Sequence, residues 1–495
     1  MPINNGNQRV VNAVSIDFVS TNWVKSVAKA GAVLGLAGLI SGCSLLPSID
    51  LGLVEINPKP EGPIEQDMVG YVYADEPLAG RAGSAILQEG GTAADAATAI
   101  FFTMAVTYPT GAGLGAGGSC VYWDAAREGA FGFDFPNQST GPGGADYPVP
   151  GAVAGFGQLH SYYGRLPWAR VLVRSELYAR DGYYASRATT RAIRGLPPSV
   201  RGNGALAPML ADVRGGEVDE ESHIRNRRLA QTLTLLRVKG AQDFYTGEIS
   251  QQIAQASEAM GGGPSREELA AYKANVSGAT AIVVLGGVAH LGGTGTLGAQ
   301  FAANMLTDAT VMSNIANLSI SARTQVLQMV EQREREAIGL PPEGEAGRDS
   351  GSAGFAVVDI LGNVAVCGIS LGGPVGSQRM VGETGFVFGN PAEIPEGKNG
   401  YSGAVPMILS RRGEFRAAVV GAGGYGAAAG TAALAAPDLL NGEVSLSSLI
   451  RFSASPKAGK VSGIACSGAP VREADSCAVE PSPRGFGLAD RVRQE

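Results

Sequence analysis

A hydroxyl residue stands directly before an apolar segment in the last third of the chain, within residues 350–359 (SGSAGFAVVD). In hydrolases that cut their own chain, such a residue becomes a new amino terminus, and its own α-amine then serves as the base that activates the hydroxyl. This chemistry needs no histidine. Ser352 is therefore the candidate nucleophile, with cleavage expected between Gly351 and Ser352.

Residues for other kinds of catalysis are scarce. The chain has 3 histidines among 495 residues, His160, His223 and His290, and none of them stands in a triad or in a metal-ligand pattern. We therefore expect neither a metal ion nor a cofactor.

The elements that must position Ser352 are two apolar segments joined by a turn. Residues 352–359 and 364–369 are typical of strands, and residues 359–363 (DILGN) between them are typical of a hairpin turn. Two buried strands would then carry Ser352 at one end and Ser370 at the other.

The composition favours a large globular core and excludes some classes of protein. Hydrophobic residues make up 45% of the chain and charged residues 17%, which is far from the balance of disordered chains. A net charge of -7 without a run of basic residues argues against a nucleic-acid partner.

Residues 1–42 are interpreted as a targeting segment. Lys25 and Lys29 precede an apolar run at residues 30–40, which is too short to span a bilayer comfortably, and small residues follow up to Cys43. Residues 39–43 (LISGC) resemble a bacterial lipoprotein signal. This implies a lipid-anchored Cys43, a tether at residues 43–66, and an outer-membrane location facing the periplasm. An ordinary secretory signal or a plain membrane anchor is the alternative.

The four remaining cysteines fall into two pairs of different character. Cys466 and Cys477 flank a polar, turn-like segment, which fits either a local disulfide or two unpaired thiols. Cys120 and Cys367 lie in apolar, strand-like runs, where we expect small buried hydrophobic side chains without a bond between them.

The rest of the chain is described by a few broad patterns. Alanine-rich residues 78–106 predict two helices separated at Gly90 and Gly91. A glycine loop at residues 111–118 precedes two predicted strands, at residues 119–123 and 129–135. Residues 150–330 are predicted to be mostly helical, and residues 331–348 to be a charged, solvated connector.

Two glycine patterns match the dinucleotide fingerprint GxGxxG. Residues 421–426 (GAGGYG) follow a predicted strand, with Glu443 about 20 residues further on, and residues 113–118 give a second match. Neither match lies in an alternating series of strands and helices, which a dinucleotide fold requires. We expect no nucleotide cofactor.

Several motifs in order resemble the gamma-glutamyltransferase family of N-terminal-nucleophile hydrolases. They lie at residues 90–97 (GGTAADAA), 113–118 (GLGAGG), 148–155 (PVPGAVAG), 163–168 (YGRLPW), 242–249 (QDFYTGEI) and 268–272 (ELAAY). The resemblance implies an α+β fold, the four-layer αββα sandwich. It also implies a large subunit at residues 67–351 and a small subunit at residues 352–495.

The same resemblance assigns roles to the candidate nucleophile and to residues around it. Ser352 stands where the family has its catalytic threonine, and Ser370 where a hydroxyl hydrogen-bonds the nucleophile. Gly423 and Gly424 resemble the glycine pair whose backbone N–H groups form the oxyanion hole.

Substrate-binding positions depart from the family. Pro136 stands where an arginine clamps the substrate carboxylate, and Gly372 where an asparagine is found. Ser402 matches the first of a serine pair, but Gly403 replaces the second. Glu393 lies beside the position of an aspartate and is the candidate substitute.

These residues imply a self-cleaving amidase or acyltransferase for a small-molecule amide or gamma-glutamyl-like substrate. Because the carboxylate and amine binders are replaced, ordinary glutathione specificity is not expected. The alternative is a catalytically inactive, unprocessed member of the family that acts as a binding or structural protein of the cell envelope.

Overall fold

A computed structural model describes residues 67–139, 147–284, 286–293, 296–308, 318–337, 339, 351–390, 404–423, 426–435, 459–468, 471, 473 and 476–494. These residues all belong to one compact unit, Pro60–Glu495. No helix among them is both long enough and apolar enough to cross a membrane.

Two antiparallel sheets form the centre of the molecule. Their strands, with one additional short pair (β4 and β5), are β1 (Met68–Ala74), β2 (Gly117–Asp124), β3 (Gly129–Phe135), β4 (Tyr183–Tyr184), β5 (His223–Ile224), β6 (Asn275–Gly278), β7 (Thr280–Val284), β8 (Gly287–Leu291), β9 (Ser352–Asp359), β10 (Val364–Ser370), β11 (Val405–Arg411), β12 (Glu414–Ala422), β13 (Lys460–Cys466), β14 (Cys477–Glu480) and β15 (Leu488–Arg493). The seven-stranded sheet has the order β15-β1-β9-β10-β2-β3-β6, and the six-stranded sheet the order β14-β13-β12-β11-β8-β7.

Helices cover the outer face of each sheet. They are α1 (Pro77–Gln88), α2 (Ala93–Thr107), α3 (Ala152–Tyr163), α4 (Trp168–Val171), α5 (Val173–Asp181), α6 (Arg187–Arg194), α7 (Pro198–Arg201), α8 (Ala207–Leu210), α9 (Arg227–Lys239), α10 (Asp243–Thr246), α11 (Glu248–Ala259), α12 (Arg266–Ala271), α13 (Leu297–Thr307), α14 (Ile320–Ala337) and α15 (Ala427–Ala432), with a 3-10 turn at Gly204–Leu206. One apolar core lies between the seven-stranded sheet and helices that include α1 and α2, a second between the six-stranded sheet and α13 to α15, and a third between the two sheets. The layers are therefore α, β, β and α, which confirms the predicted four-layer sandwich.

The break between α1 and α2 follows from local sequence. Thr92 accepts a hydrogen bond from the Asp95 N–H, and the Asp95 carboxylate accepts one from the Thr92 N–H, so that a complete capping box begins α2. The two helices pack closely where α1 has Gly83, since a β-carbon at this position would lie only 2.6 Å from Ile100 Cδ1 of α2. This helix pair covers the strand that begins at Ser352.

Strand alternation decides which way Ser352 points. Successive side chains of a strand face opposite sides of the sheet. Phe355 and Val357 of β9 pack against the helices, whereas Ala356 and Val358 pack between the sheets. Ser352 shares the second face, so that its side chain points toward the six-stranded sheet.

Two predictions about secondary structure were wrong in part. Within the region predicted to be mostly helical, three strands lie between Asn275 and Leu291: β6 pairs with β3 in the seven-stranded sheet, and β7 and β8 form a hairpin in the six-stranded sheet. These strands have only four or five residues each, and so short an apolar segment does not distinguish a strand from a piece of helix by its pattern. The charged connector expected from Glu331 is instead the last part of α14, which continues to Ala337 with Glu331 and Arg335 both 4% exposed.

The prediction for Cys120 and Cys367 was also wrong, because the two residues form a disulfide. Strands β2 and β10 are antiparallel neighbours, and their register places Cys120 directly opposite Cys367, with a Cα–Cα distance of 4.1 Å. Opposed residues in an antiparallel pair come this close. Each cysteine is buried as expected, but the pairing depends on a register that the sequence alone does not give. The structure also pairs Cys466 with Cys477.

Candidate active site

The candidate site lies where β9 begins and β10 ends. The hairpin of β9 and β10 places Ser352 directly opposite Ser370. The hairpin turn is held by Asp359, whose carboxylate accepts hydrogen bonds from the N–H groups of Leu361 and Asn363 and from that of Ala93 at the start of α2. Burial raises the pKa of Asp359. The turn, the helix and the two serines are thus one connected unit.

The peptide bond before Ser352 is held by donors on its carbonyl oxygen. The Leu371 N–H donates to Gly351 O at 2.8 Å, and the Ser370 hydroxyl lies 3.5 Å from the same oxygen. Ser370 Oγ in turn accepts a hydrogen bond from the Gly372 N–H at 3.0 Å. The Gly351 carbonyl is therefore polarised by the residues that follow β10, which favours attack on its carbon.

Gly351 can only be glycine in this conformation. Its φ angle is 69°, in the left-handed region that favours glycine. A β-carbon there would lie 1.8 Å from the carbonyl oxygen of Gly373. A larger residue would displace the peptide bond that is expected to be cut.

The opposite sheet contributes a donor to the candidate nucleophile. The Gly423 N–H, just after β12, donates to Ser352 Oγ at 2.8 Å, and Ser352 is fully buried. Gly423 has a φ angle of 76°, in the left-handed region that favours glycine, and it follows Ala422, the last paired residue of β12. A backbone N–H in this place would stabilise negative charge that develops beside the hydroxyl oxygen.

A buried ion pair lies on the other side of Gly423. Lys460 begins β13 opposite Ala422, and its Cε would be 2.3 Å from a β-carbon on Gly423. Its ammonium lies 3.9 Å from Asp75 Oδ2, with side-chain exposures of 12% for Lys460 and 3% for Asp75. The Lys460 ammonium also donates to the Tyr108 hydroxyl at 3.3 Å. A positive charge is thus present beside the oxyanion-hole candidate.

Asp75 ties this charge to the start of β9. Its Oδ2 accepts the Gly354 N–H at 2.9 Å, and its own N–H donates to Gly354 O at 3.1 Å. Tyr73 donates its hydroxyl to the same carboxylate. Burial first, and the neighbouring Asp75 charge second, raise the pKa of Tyr73 well above its ordinary value, so that this tyrosine stays a neutral donor.

The recognition side shows a different arrangement. Pro136 has no side-chain donor, and its carbonyl accepts the Tyr272 hydroxyl at 2.8 Å. Gly372 has a φ angle of 72°, and the Asn390 side-chain amide reaches its carbonyl oxygen at 3.5 Å. The Asn390 N–H donates to Leu371 O at 2.7 Å. Asn390 therefore places a carboxamide beside the position where the family resemblance expects an asparagine.

The three histidines lie apart from this site. His160 Nε2 is 2.9 Å from Leu166 O, and His290 Nε2 is 2.8 Å from Ser410 Oγ. His223 pairs with Tyr184 in the short strands β4 and β5. The described part of the chain also contains no group of three or more acidic, histidine or cysteine side chains that could hold a metal ion.

The structure brings four of the predicted site residues together, Gly351, Ser352, Ser370 and Gly423. Cys466 and Cys477 form the disulfide described above. Five further residues lie outside the described residues, and their roles stay predictions: Cys43, Glu393, Ser402, Gly403 and Gly424. Sequence reasoning missed Asp75, Lys460 and Asn390. Asp75 and Lys460 each adjoin a strand far away in sequence, and no local motif marks Asn390, so that only the fold reveals their proximity.

Comparison with known proteins supports a single family. The sequence model described as Gamma-glutamyltranspeptidase matches residues 79–288. Glutathione hydrolase 3 of Arabidopsis thaliana is 25% identical over 435 residues, covering 72% of this chain and 68% of the relative. The glutathione hydrolase proenzyme of Escherichia coli (strain K12) is 27% identical over 277 residues, covering 52% of this chain. The matched region spans about half, 47%, of that relative.

A solved structure resembles most of this chain. Cephalosporin acylase from Bacillus halodurans superposes with a TM-score of 0.68 at 18% identity, covering 88% of this chain and 98% of that chain. At this identity the likeness shows the fold alone. The chain is thus similar to gamma-glutamyltranspeptidases over residues 79–288, and its described unit shares the four-layer sandwich fold of the acylase.

Proposed function

We propose that this protein is a self-activating amidase or acyltransferase that cuts its own chain between Gly351 and Ser352. The observation that carries the proposal is the pair of contacts on either side of that bond. The Gly351 carbonyl oxygen accepts the Leu371 N–H at 2.8 Å, and Ser352 Oγ accepts the Gly423 N–H at 2.8 Å. Both the electrophile and the nucleophile are held by main-chain donors.

The cut proceeds by an N-to-O acyl shift. Ser352 Oγ attacks the Gly351 carbonyl carbon, its proton passes to the Ser352 nitrogen, and the C–N bond breaks to leave an ester. Water then hydrolyses the ester, which gives a carboxylate on Gly351 and a free α-amine on Ser352. That amine is the base that the chain otherwise lacks.

The mature enzyme would use the same atoms on a substrate amide. The α-amine accepts the hydroxyl proton as Ser352 Oγ attacks the amide carbonyl, and then donates it to the leaving amine. The Gly423 N–H stabilises the negative charge on the carbonyl oxygen. Water or a second amine releases the acyl group from Ser352.

The proposed substrate is a small-molecule amide other than plain glutathione. Pro136 replaces a charged clamp, and losing one partner of a buried charge pair costs about 2 to 5 kcal/mol of binding. Lys460 and Asn390 offer a cation and a carboxamide in new places. We also propose a lipid anchor at Cys43 and an outer-membrane location facing the periplasm, on the sequence pattern alone.

The test is the intact mass of the purified protein after denaturation and reduction with dithiothreitol. The wild-type chain and Ser352→Thr should each give a fragment that begins at residue 352, because both side chains carry a hydroxyl. Ser352→Ala should remain uncut. Ser377→Ala, which removes a nearby serine that only bonds Phe388 O and the Arg379 N–H, should be cut like the wild type. A single uncut species in every sample would reject the proposal and favour the inactive envelope protein.

Substrate class is tested with three chromogenic anilides. Gamma-glutamyl p-nitroanilide carries both the α-amine and the carboxylate, glutaryl p-nitroanilide lacks the amine, and hexanoyl p-nitroanilide lacks both groups. We expect no preference for the gamma-glutamyl compound over the glutaryl compound. A strong preference for gamma-glutamyl would show that unrecognised residues replace the lost clamp.

A further inference from the structure

We infer that the disulfide between Cys120 and Cys367 covalently joins the two polypeptides that self-cleavage produces. This inference rests on the proposed cut between Gly351 and Ser352. Cys120 lies before that bond and Cys367 after it, separated by 247 positions in sequence. The mature protein would then be one covalent molecule made of two chains.

The sheet topology makes this link specific. Strands of the two predicted subunits are interleaved in the seven-stranded sheet, where β1 pairs with β9 and β15, and β2 pairs with β10. The boundary between β10 and β2 is where Cys120 and Cys367 face each other. The bond therefore fastens the strand that ends at Ser370 to a strand of the other subunit, three residues from the site.

Burial protects the bond once it has formed. Both cysteines are fully buried in the core under the helix layer that includes α2. A thiolate must reach a sulfur atom to reduce a disulfide, so that enclosure in a packed core slows reduction. The other disulfide, between Cys466 and Cys477, lies entirely after the cleavage position and cannot join the two polypeptides.

Formation of the bond has a clear balance. The thiols of Cys120 and Cys367 lose two protons and two electrons, which a protein disulfide of an oxidising compartment accepts by thiol–disulfide exchange. Such a compartment agrees with the export segment expected at the amino terminus.

A gel with and without reductant tests the inference on the whole protein. Denatured wild-type protein, alkylated to block exchange, should give one species without dithiothreitol and two species with it. The variant Cys120→Ala/Cys367→Ala should give two species in both lanes. The matched control Cys466→Ala/Cys477→Ala should behave like the wild type.

The outcomes separate the two proposals. Two species without dithiothreitol in the wild type would overturn the covalent link and leave the cut intact. One species in both lanes would overturn the cut. In that case a variant with a specific protease site inserted after residue 345 allows the chain to be cut with the protease instead. If the two fragments of the digested, denatured protein separate without reductant, the covalent link is overturned. If they separate only with reductant, the link is supported.

Discussion

The candidate site has a side that holds Ser352 and the Gly351 carbonyl through main-chain groups, and a recognition side that depends on side chains. On the nucleophile side, the groups that hold the Gly351 carbonyl and Ser352 Oγ are the N–H groups of Leu371 and Gly423. On the recognition side, the family resemblance assigns side chains, and Pro136 and Gly372 show that these have changed. Main-chain donors come with strand pairing and survive most substitutions, whereas a side-chain contact is lost in a single substitution. Chemistry can therefore persist while specificity changes.

The largest expected effect on rate comes from replacing Gly423, which supplies a main-chain donor, with alanine. Gly423→Ala strains a φ angle of 76° and forces Lys460 aside, which moves the N–H away from Ser352. Removing one oxyanion donor typically costs about 10²- to 10³-fold in rate. We expect a loss of that size in the rate of acylation of cut protein by an activated amide.

Gly413→Ala is the control for Gly423→Ala. Gly413 has a φ angle of 79° in the turn between β11 and β12, so that the backbone strain is similar, and the β-carbon meets only the Glu128 side chain. Thermal unfolding should show that both variants are folded but destabilised, Gly423→Ala more strongly because Lys460 must move, while acylation by the folded protein falls only in Gly423→Ala. Equal acylation rates in the two variants would remove Gly423 from the site.

The next effect tests whether a side chain also matters for the cut. Ser370→Ala removes the hydroxyl 3.5 Å from Gly351 O but leaves the Leu371 N–H in place at 2.8 Å. Loss of one hydrogen bond to a buried group costs about 1 to 3 kcal/mol, or roughly 5- to 150-fold. We expect slower cleavage, followed as appearance of the fragment from residue 352 over time. If Ser370→Ala is cleaved as fast as Ser377→Ala, the Ser370 hydroxyl makes no contribution, and main-chain donors alone activate the Gly351 carbonyl.

A smaller effect is expected from the buried cation. At about 4 Å and an effective dielectric constant of about 20, two unit charges interact by about 4 kcal/mol, and the interaction weakens with distance. Asp75 offsets part of this effect for Lys460. We expect Lys460→Met to lower kcat/KM by about tenfold, close to 1.4 kcal/mol.

Stability must be separated from catalysis for Lys460→Met. The substitution leaves Asp75 buried without its cation, which destabilises the fold. The pair Lys460→Met/Asp75→Asn should recover unfolding free energy relative to Lys460→Met, because the uncompensated charge is gone. Recovery of kcat/KM along with stability would show that Lys460 acts only through packing.

Sequence patterns predicted local structure well, and they predicted contacts between segments that are distant in sequence less well. The hairpin that opposes Ser352 and Ser370 is contained within 19 residues, with apolar strands and a turn that each carry their own signal. The capping box of α2 is equally local. The opposition of Ser352 and Ser370 could therefore be predicted without a structure.

The features that were missed depend on pairing between remote strands. The Cys120–Cys367 bond requires the register of β10 against β2, and Lys460 reaches the site only because β13 pairs with β12. Strand register is set by the packing of whole sheets, to which a short segment contributes little information. Asn390 lies just before residues outside the described structure, and its neighbour Gly372 lies 18 positions away.

The smallest effect should come from Asn390, which belongs to the recognition side. Asn390→Ala removes the carboxamide beside Gly372, and we expect KM to rise by a few fold with kcat unchanged, as for a contact made equally in the ground state and the transition state. Adding Gly372→Asn to Asn390→Ala returns the amide to the family position. Asparagine tolerates the left-handed φ of 72° better than most residues, and its β-carbon would lie 3.0 Å from Asn390 O and 3.2 Å from Asn390 Cβ, so that these atoms must shift slightly to accept it. KM should then fall back toward the wild-type value with the preferred anilide. A change in kcat rather than KM would place Asn390 in the chemistry, and the division between main-chain catalysis and side-chain recognition would no longer hold.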